Sequence, residues 1–325
     1  MKKNHLALLL LILITVISIY FFTYKKTEKT LKYAYTTALV DAPSMIAKNI
    51  LQQNQIEPVQ FSTGRETTQA LLGNATNVAT LAEWPFLLAS DKRDDLQIVA
   101  VITSAKSMGI IANKDKGIDS IIQLKDKRVG FPQGTTAQYV FELLAKKNNI
   151  SGEVKTINLT PPNLQPSLIR GDIDAMVVWQ PFLEKARLEN TEKFIYLPTS
   201  QDAFRVVYCV VSTKENIKNN PEGIKQIITS LIEAEEKINN GDKETLAQLS
   251  KEVGLDTNTL SELLPLFRFQ VTLDDEVVNT LETLAVWAHD SGLTTSSDIL
   301  TRDWKDYIHT KTLEEISPER VRLSQ

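Results

Sequence analysis

Strand-like and helix-like stretches alternate from residue 31 to residue 179, and this limits the fold more than any other feature of the chain. "LKYAYTT" (31–37) has the two-residue period of a strand. Asp41-Ala-Pro-Ser then opens a helix, "SMIAKNILQQN", with Ser44 or Asp41 as cap and Pro43 suited to its first turn. "EPVQFST" reads as a strand, "GRETTQALL" as a helix and "NVATLA" as a strand. Such an order predicts a mostly parallel sheet covered by helices. After the strands "LQIVAVITS" and "MGIIANKD" and the short helix "DSIIQLKDK", the order repeats: "RVGFP", "TTAQYVFELLAKKNNI", "VKTINL", "NLQPSLIRG", "DAMVVW". "FIYLP" and "FRVVYCVVST" close that block. From Asn219 the pattern turns helical. "NNPEGIKQIITSLIEAEEKINNG" sets Ile224, Ile227, Ile228, Leu231 and Ile238 on one side, with Asn220 as cap, Pro221 at the start and Gly241 at the end. "DEVVNTLETLAVWAHDSG" is a further amphipathic helix, ended by Gly292.

Two segments share one grammar. "QALLGNATNVATLAEWPFL" and "PSLIRGDIDAMVVWQPFL" each end a helix, pass a residue able to turn left-handed, run a strand, and finish on Trp and Pro-Phe. Gly171 supplies the left-handed residue in the second copy and Gly73-Asn74 in the first. Ligands of open α/β sheets bind outside the carboxyl ends of strands. Glu83, Trp84, Trp179 and Gln180 fall at such ends, so facing lobes would bring both turns to one cleft. Packing of Trp179 on the rim is the competing reading.

Two helix starts are candidate anion sites, because the first turn of a helix exposes unpaired N–H groups and a partial positive charge. One is Gly134-Thr135-Thr136 after the strand "RVGFP", and the other is Ser62-Thr63-Gly64-Arg65 after "VQF". A plain capped helix is the simpler reading of each. Arg65 is either an anion partner or a solvated first-turn charge. Arg205, within the apolar "AFRVVYCVV", either reaches the cleft or lies at an edge with its head in water. The loops "TSAKSMG" and "TSQDAF" are candidate selectivity segments.

The formal net charge of −4 argues against nucleic acid as a partner. Cys209 is the one cysteine, read as a small buried hydrophobe, so cysteine metal clusters and disulfides within the chain are excluded. The three histidines (His5, His289, His309) are scattered; there is no Gly-Lys-Ser/Thr phosphate loop and no Gly-x-Ser-x-Gly turn. Nothing in the sequence argues for catalysis, a cofactor or a bound metal. The apolar run 6–24, flanked by lysine pairs and ending in Tyr20, Phe21, Phe22 and Tyr24, has the length and aromatic edge of a membrane helix. We expect an uncleaved anchor over about residues 1–28, a cleaved signal being the alternative, with the rest of the chain outside the cytoplasmic membrane.

"VQFSTGRETTQALL", "NVATLAEWPFLLAS", "IIQLKDKRVGFPQGTTAQYVFELLAKKNNI", "LIRGDIDAMVVWQPF" and "NNPEGIKQIITSLIEA" together resemble the extracytoplasmic substrate-binding proteins of nitrate-, sulfonate- and taurine-type ABC importers, roughly over residues 30–290. The resemblance implies an α/β, two-lobed periplasmic-binding-protein-like fold (type II). Each lobe would be a mostly parallel sheet flanked by helices, with a hinge between them. Lobe one would combine 30–112 with 211–325 and lobe two would span 113–210, with crossings near Ala112-Asn113 and Val210–Ser212. It also implies a small anionic ligand, an organosulfonate or taurine-like solute being favoured over nitrate, bicarbonate or a pyrimidine precursor. That ligand would be held at Ser62, Thr63, Gly64, Arg65, Glu83, Trp84, Gly134, Thr135, Thr136, Trp179 and Gln180, with Glu83 taking an amine if the ligand has one. A permease and its ATPase would be the partners. Asn74 and Asn77 stand where the family usually has Gly and Asp. A tethered sensor, or an enzyme of thiamine-pyrimidine synthesis, is the alternative function; the latter relies on a histidine and a cysteine-rich motif.

Overall fold

β1 (Lys32–Thr36), α1 (Ala42–Gln53), β2 (Glu57–Phe61), α2 (Gly64–Leu72) and β3 (Val78–Ala82) follow in the expected order, with β2 and β3 both parallel to β1. α2 starts where it does because of a reciprocal capping box. Thr63 Oγ1 accepts from Glu66 N at 3.2 Å, and the Glu66 carboxylate accepts from Thr63 N at 3.0 Å. The computed structural model describes residues 30–189, 192–197, 204–294 and 296–324. Next come α3 (Glu83–Ser90), β4 (Leu96–Ala105), β5 (Met108–Asn113), β6 (Arg128–Phe131), α4 (Thr136–Lys147), β7 (Lys155–Asn158), α5 (Pro161–Arg170), β8 (Ala175–Trp179), α6 (Phe182–Glu189) and β9 (Phe194–Tyr196). β10 (Val206–Thr213), α7 (Lys214–Asn219), α8 (Pro221–Asn239), α9 (Lys243–Val253), α10 (Thr257–Leu263), β11 (Phe267–Asp274), α11 (Asp275–Asp290), α12 (Lys311–Ile316) and β12 (Val321–Arg322) complete the chain.

The strands form two sheets, ordered β12-β11-β4-β10-β3-β1-β2 and β7-β6-β8-β5-β9. Each keeps three adjacent parallel strands, β2-β1-β3 and β7-β6-β8, and extends them with antiparallel ones: β10 beside β3, β5 beside β8. Sheet membership moves both expected crossings. Ala112-Asn113 lies inside β5, which pairs with β8 in the second sheet, so the chain leaves the first sheet at Lys106-Ser107. Val210–Ser212 lies inside β10, which pairs with β3 and β4 in the first sheet, so the return falls between Leu197 and Val206. Both strands are continuous apolar runs, and nothing in such a run says which sheet it joins. A purely helical tail also proves too simple, because "FRFQVTLD" is β11. Its Phe267, Phe269, Val271 and Leu273 are buried at alternate positions on the antiparallel flank of β4.

The two αβ copies match from the turn through the strand. Asn74 (φ 55°) and Gly171 (φ 80°) make the left-handed turns. Asn77 then clips the start of β1, its Oδ1 accepting from Lys32 N at 3.0 Å, and Asp174 clips the start of β6, its Oδ2 accepting from Arg128 N at 2.9 Å. An amide thus does in the first copy what a carboxylate does in the second, and the strand register is the same.

Among the described residues no helix is long and apolar enough to cross a membrane, and the expected anchor, 6–24, lies outside the described residues. Cys209 is fully buried in β10, where burial pushes its thiol well up, as the packing reading expects. At Gly109 on β5, a Cβ would meet the Tyr196 ring carbons of β9 at 2.8 Å. We expect Gly109→Ala to cost about 1–3 kcal/mol, the usual penalty for overpacking, read as a fall in the urea midpoint without a change in slope.

Candidate functional site

The carboxyl ends of β1, β2, β3 and β8 converge on a cavity of ≈ 40 Å³. β4 leaves the first sheet beside it through Ser107 and Met108, and β10 re-enters beside it at Val206. Two helices aim their amino ends at this space from opposite sheets. α2 brings Ser62, Thr63, Gly64 and Arg65, and α4 brings Thr135 and Thr136. Thr63 and Thr135 are spent on capping: Thr135 Oγ1 accepts from Ala137 N at 3.3 Å and donates to Pro132 O at 2.7 Å. The caps take up some first-turn N–H groups, Glu66 N and Ala137 N among them, and the partial positive charge of each helix start still favours an anion in the cavity. The far wall is apolar, formed by Ala38, Val40, Ala82, Pro85, Met108, Val206 and the Trp179 ring.

Arg65 bridges the sheets. Its Nη1 donates to Gln133 O at 2.9 Å, and its stem lies against Gly134. Gly134 has φ +74°, and a Cβ there would meet Arg65 Cδ at 3.2 Å, so the glycine serves both the turn and the arginine. It does not itself line the cavity.

Four other expected contacts fall elsewhere. Glu83 is fully buried and off the cavity. Its Oε1 accepts from Thr136 Oγ1 at 3.1 Å and its Oε2 from Val207 N at 2.7 Å, which makes it a tie between the sheets rather than a partner for a ligand amine. Burial pushes its carboxyl up from 4.5 to about 7, against the lowering pull of those hydrogen bonds. Trp84 packs between Tyr139 of α4 and Trp287 of α11, with ring centroids 5.7 and 5.2 Å away. Gln180 is a cap, its Oε1 accepting from Glu184 N at 3.0 Å. Arg205 stands before β10, an interior strand rather than an edge, and off the cavity, its half-exposed side chain holding Nε 3.8 Å from Glu276 Oε1.

The split between the two tryptophans has a simple cause. β8 ends on Trp179 itself, whereas β3 ends on Ala82 and Trp84 already belongs to the first turn of α3. Ala82 therefore holds the rim position of Trp179, and Trp84 is carried round into the core. Thr36 and Tyr208, which share a hydrogen bond of 3.1 Å on the cavity floor, escaped the sequence reading. Thr36 had a usable signal, since it closes the first parallel strand; Tyr208 lies on an antiparallel strand and had none. Ser107 and Met108 come from the loop "TSAKSMG". Of "TSQDAF", residues 199–203 lie outside the described residues.

The sequence pattern of the NMT1/THI5-like family matches residues 55–240, over half of the chain and including every one of the cavity segments from Ser62 to Tyr208. The chain belongs to that family. A binding protein of Brucella abortus is 27% identical to this NMT1/THI5-like chain over 180 residues, 54% of the chain and 55% of the relative, so the chain spans about half the length of that curated relative. The taurine-binding periplasmic protein of Escherichia coli is 22% identical over 220 residues, 66% of this chain and 68% of its own. Among solved structures, the alkanesulfonate-binding protein SsuA from Xanthomonas axonopodis pv. citri bound to MOPS superposes with a TM-score of 0.74 at 18% identity, covering 86% of this chain and 98% of that one. The NMT1/THI5-like chain thus has the two-sheet periplasmic-binding-protein fold.

Proposed function

We propose that this chain is the solute-capture component of an ABC-type importer and that it binds a small organosulfonate between its two sheets. The observation that carries this reading is the convergence of two helix amino ends, from opposite sheets, on one small cavity beside an arginine and an apolar wall. A sulfonate matches that division: its oxygens need several donors, and its alkyl part needs apolar surface such as Met108 and Val206. The relatives described above, named for alkanesulfonates and taurine, support the same class. The cavity is far smaller than the roughly 300–1,000 Å³ of sites for drug-sized ligands, which favours a short chain. Among the described residues no carboxylate lines it, and both Glu83 oxygens are engaged, so an unsubstituted alkyl sulfonate suits it better than taurine. Among the described residues its lining holds neither histidine nor cysteine, which favours capture over the thiamine-pyrimidine chemistry.

In this reading the two sheets belong to two lobes that close over the solute and present it to a permease and its ATPase, on the outer side of the cytoplasmic membrane. The apolar segment 6–24 would be the export or tethering segment. Calorimetry on the full chain in detergent, titrated with methanesulfonate, ethanesulfonate, taurine, nitrate and bicarbonate, tests the proposal. Micromolar binding of ethanesulfonate, about −8 kcal/mol, with taurine at least about tenfold weaker, is the expected result. Heat with nitrate or bicarbonate alone would replace the ligand class, and no heat with any of the five would overturn the reading.

A further inference from the structure

We infer that Ser107 and Trp179 are the paired side-chain donors that receive the ligand's oxygens at the second sheet's rim, and that they set its preference for an acceptor over an amine. The inference rests on the capture of a small oxyanion proposed above. Both residues line the cavity, and they are 1% and 8% exposed. The Ser107 hydroxyl and the Trp179 indole N–H are each buried without a hydrogen-bond partner among the described residues. Other buried polar atoms share that condition, on Asp41, Thr76, Trp84, Thr103, Ser104 and Trp287, but none of those residues lines the cavity. The backbone brings both residues to the same end of the second sheet. Met108 pairs with Trp179 in the β5–β8 register, and Gln180 N donates to Ser107 O at 3.0 Å.

A buried donor without a partner costs free energy, and what sets these two apart from the other orphans is that their residues line the cavity. The residue types say what that something is. An indole N–H can only donate, so the atom placed against it must be an acceptor; an ammonium there would leave both groups unpaired. The serine hydroxyl supplies a second donor to the same cavity. The helix starts at α2 and α4 favour negative charge in the same space, and the two orphaned donors are independent of them. Ser107 lies where the chain passes from the first sheet to the second, so a bond to its hydroxyl would also fix the ligand at the hinge-side end of the cavity.

Ser107→Ala and Trp179→Phe, each in the full chain, separate this role from a packing role. Ethanesulfonate affinity is expected to fall about ten- to a hundredfold in each, the usual loss when a hydrogen bond to a charged group is removed. The urea midpoint of Ser107→Ala without ligand is expected to hold or rise, because an unpaired buried hydroxyl has been removed. A structural serine would lose midpoint and affinity together, and that outcome overturns the inference. So does affinity within about twofold of the parent, less than one net hydrogen bond. If the parent binds no sulfonate, the ligand reading fails and takes this inference with it; if the parent binds and the variants match it, this inference alone fails.

Discussion

Replacing Tyr139 with alanine is expected to cost about 3–5 kcal/mol of unfolding free energy, the largest single effect among the substitutions considered for this chain. Tyr139 rises from the first turns of α4, which follows a strand of the second sheet, yet its ring is packed among aromatic groups outside that sheet. It stacks on Trp84 (5.7 Å between centroids), meets Trp287 edge-on at 4.6 Å and meets Phe204 edge-on at 4.8 Å. Only 3% of the residue is exposed. Alanine removes the ring and leaves a void lined by two indoles, which proteins fill poorly. The loss should fall on the junction between the sheets as well as on the core. Tryptophan emission should shift to the red as Trp84 and Trp287 meet water, and affinity for the proposed ethanesulfonate ligand should drop because the contact of α4 with Trp84 and Trp287 is lost. Tyr139→Phe keeps the ring and should retain most of the stability. An alanine variant with the parent's urea midpoint and emission maximum would refute the account.

The second large effect is on pH. Burial raises the carboxyl of Glu83 from 4.5 to about 7 and that of Asp41 from 3.8 to about 6. Asp41 keeps hydrogen bonds from Thr36 N at 2.6 Å and Thr80 Oγ1 at 2.5 Å, but these only partly offset the loss of water. Between the ordinary and the raised value, the folded chain binds a proton that the unfolded chain has released. Folding stability therefore falls as pH rises through that window, by about 3 kcal/mol for each group. Asp95, held low by hydrogen bonds from Arg93, acts below its ordinary 3.8 and leaves the window untouched. His309, lowered by burial, opposes the trend below its ordinary 6.5. The chain should resist urea better at pH 5 than at pH 8, and Glu83→Gln should flatten the slope by one proton. A Glu83→Gln variant with the parent's full pH slope would show that Glu83 is not the titrating group.

Much of this architecture could be read from the residues because local chemistry decides it. Thr63 and Glu66 fix the start of α2, and Asn74 and Gly171 fix the left-handed turns. The helix starts that line the cavity were legible for the same reason, since a cap and a strand end are neighbours in sequence. What could not be read depends on partners far away in the chain. Arg205 is drawn to Glu276, which is remote in sequence, and Glu83 is consumed by Val207 and Thr136. The fate of Trp84 turned on a small offset between strand end and tryptophan, beyond the resolution of any periodicity. β5 and β10 carry no mark of the sheet they join.

The clips at Asn77 and Asp174 lie at the amino ends of their strands, and the cavity lies at the carboxyl ends. Five residues of β3 or β8, at about 3.3 Å each, separate the two by roughly 16 Å. Alignment of the strands is thus decided at one end and chemical taste at the other. On the proposed reading, a change at Ala82, Ser107 or Trp179 would alter what is gripped, while the clips that align the strands lie at the other end. If solutes are gripped there, such a scaffold is a handle with exchangeable tips, its frame set apart from its grip.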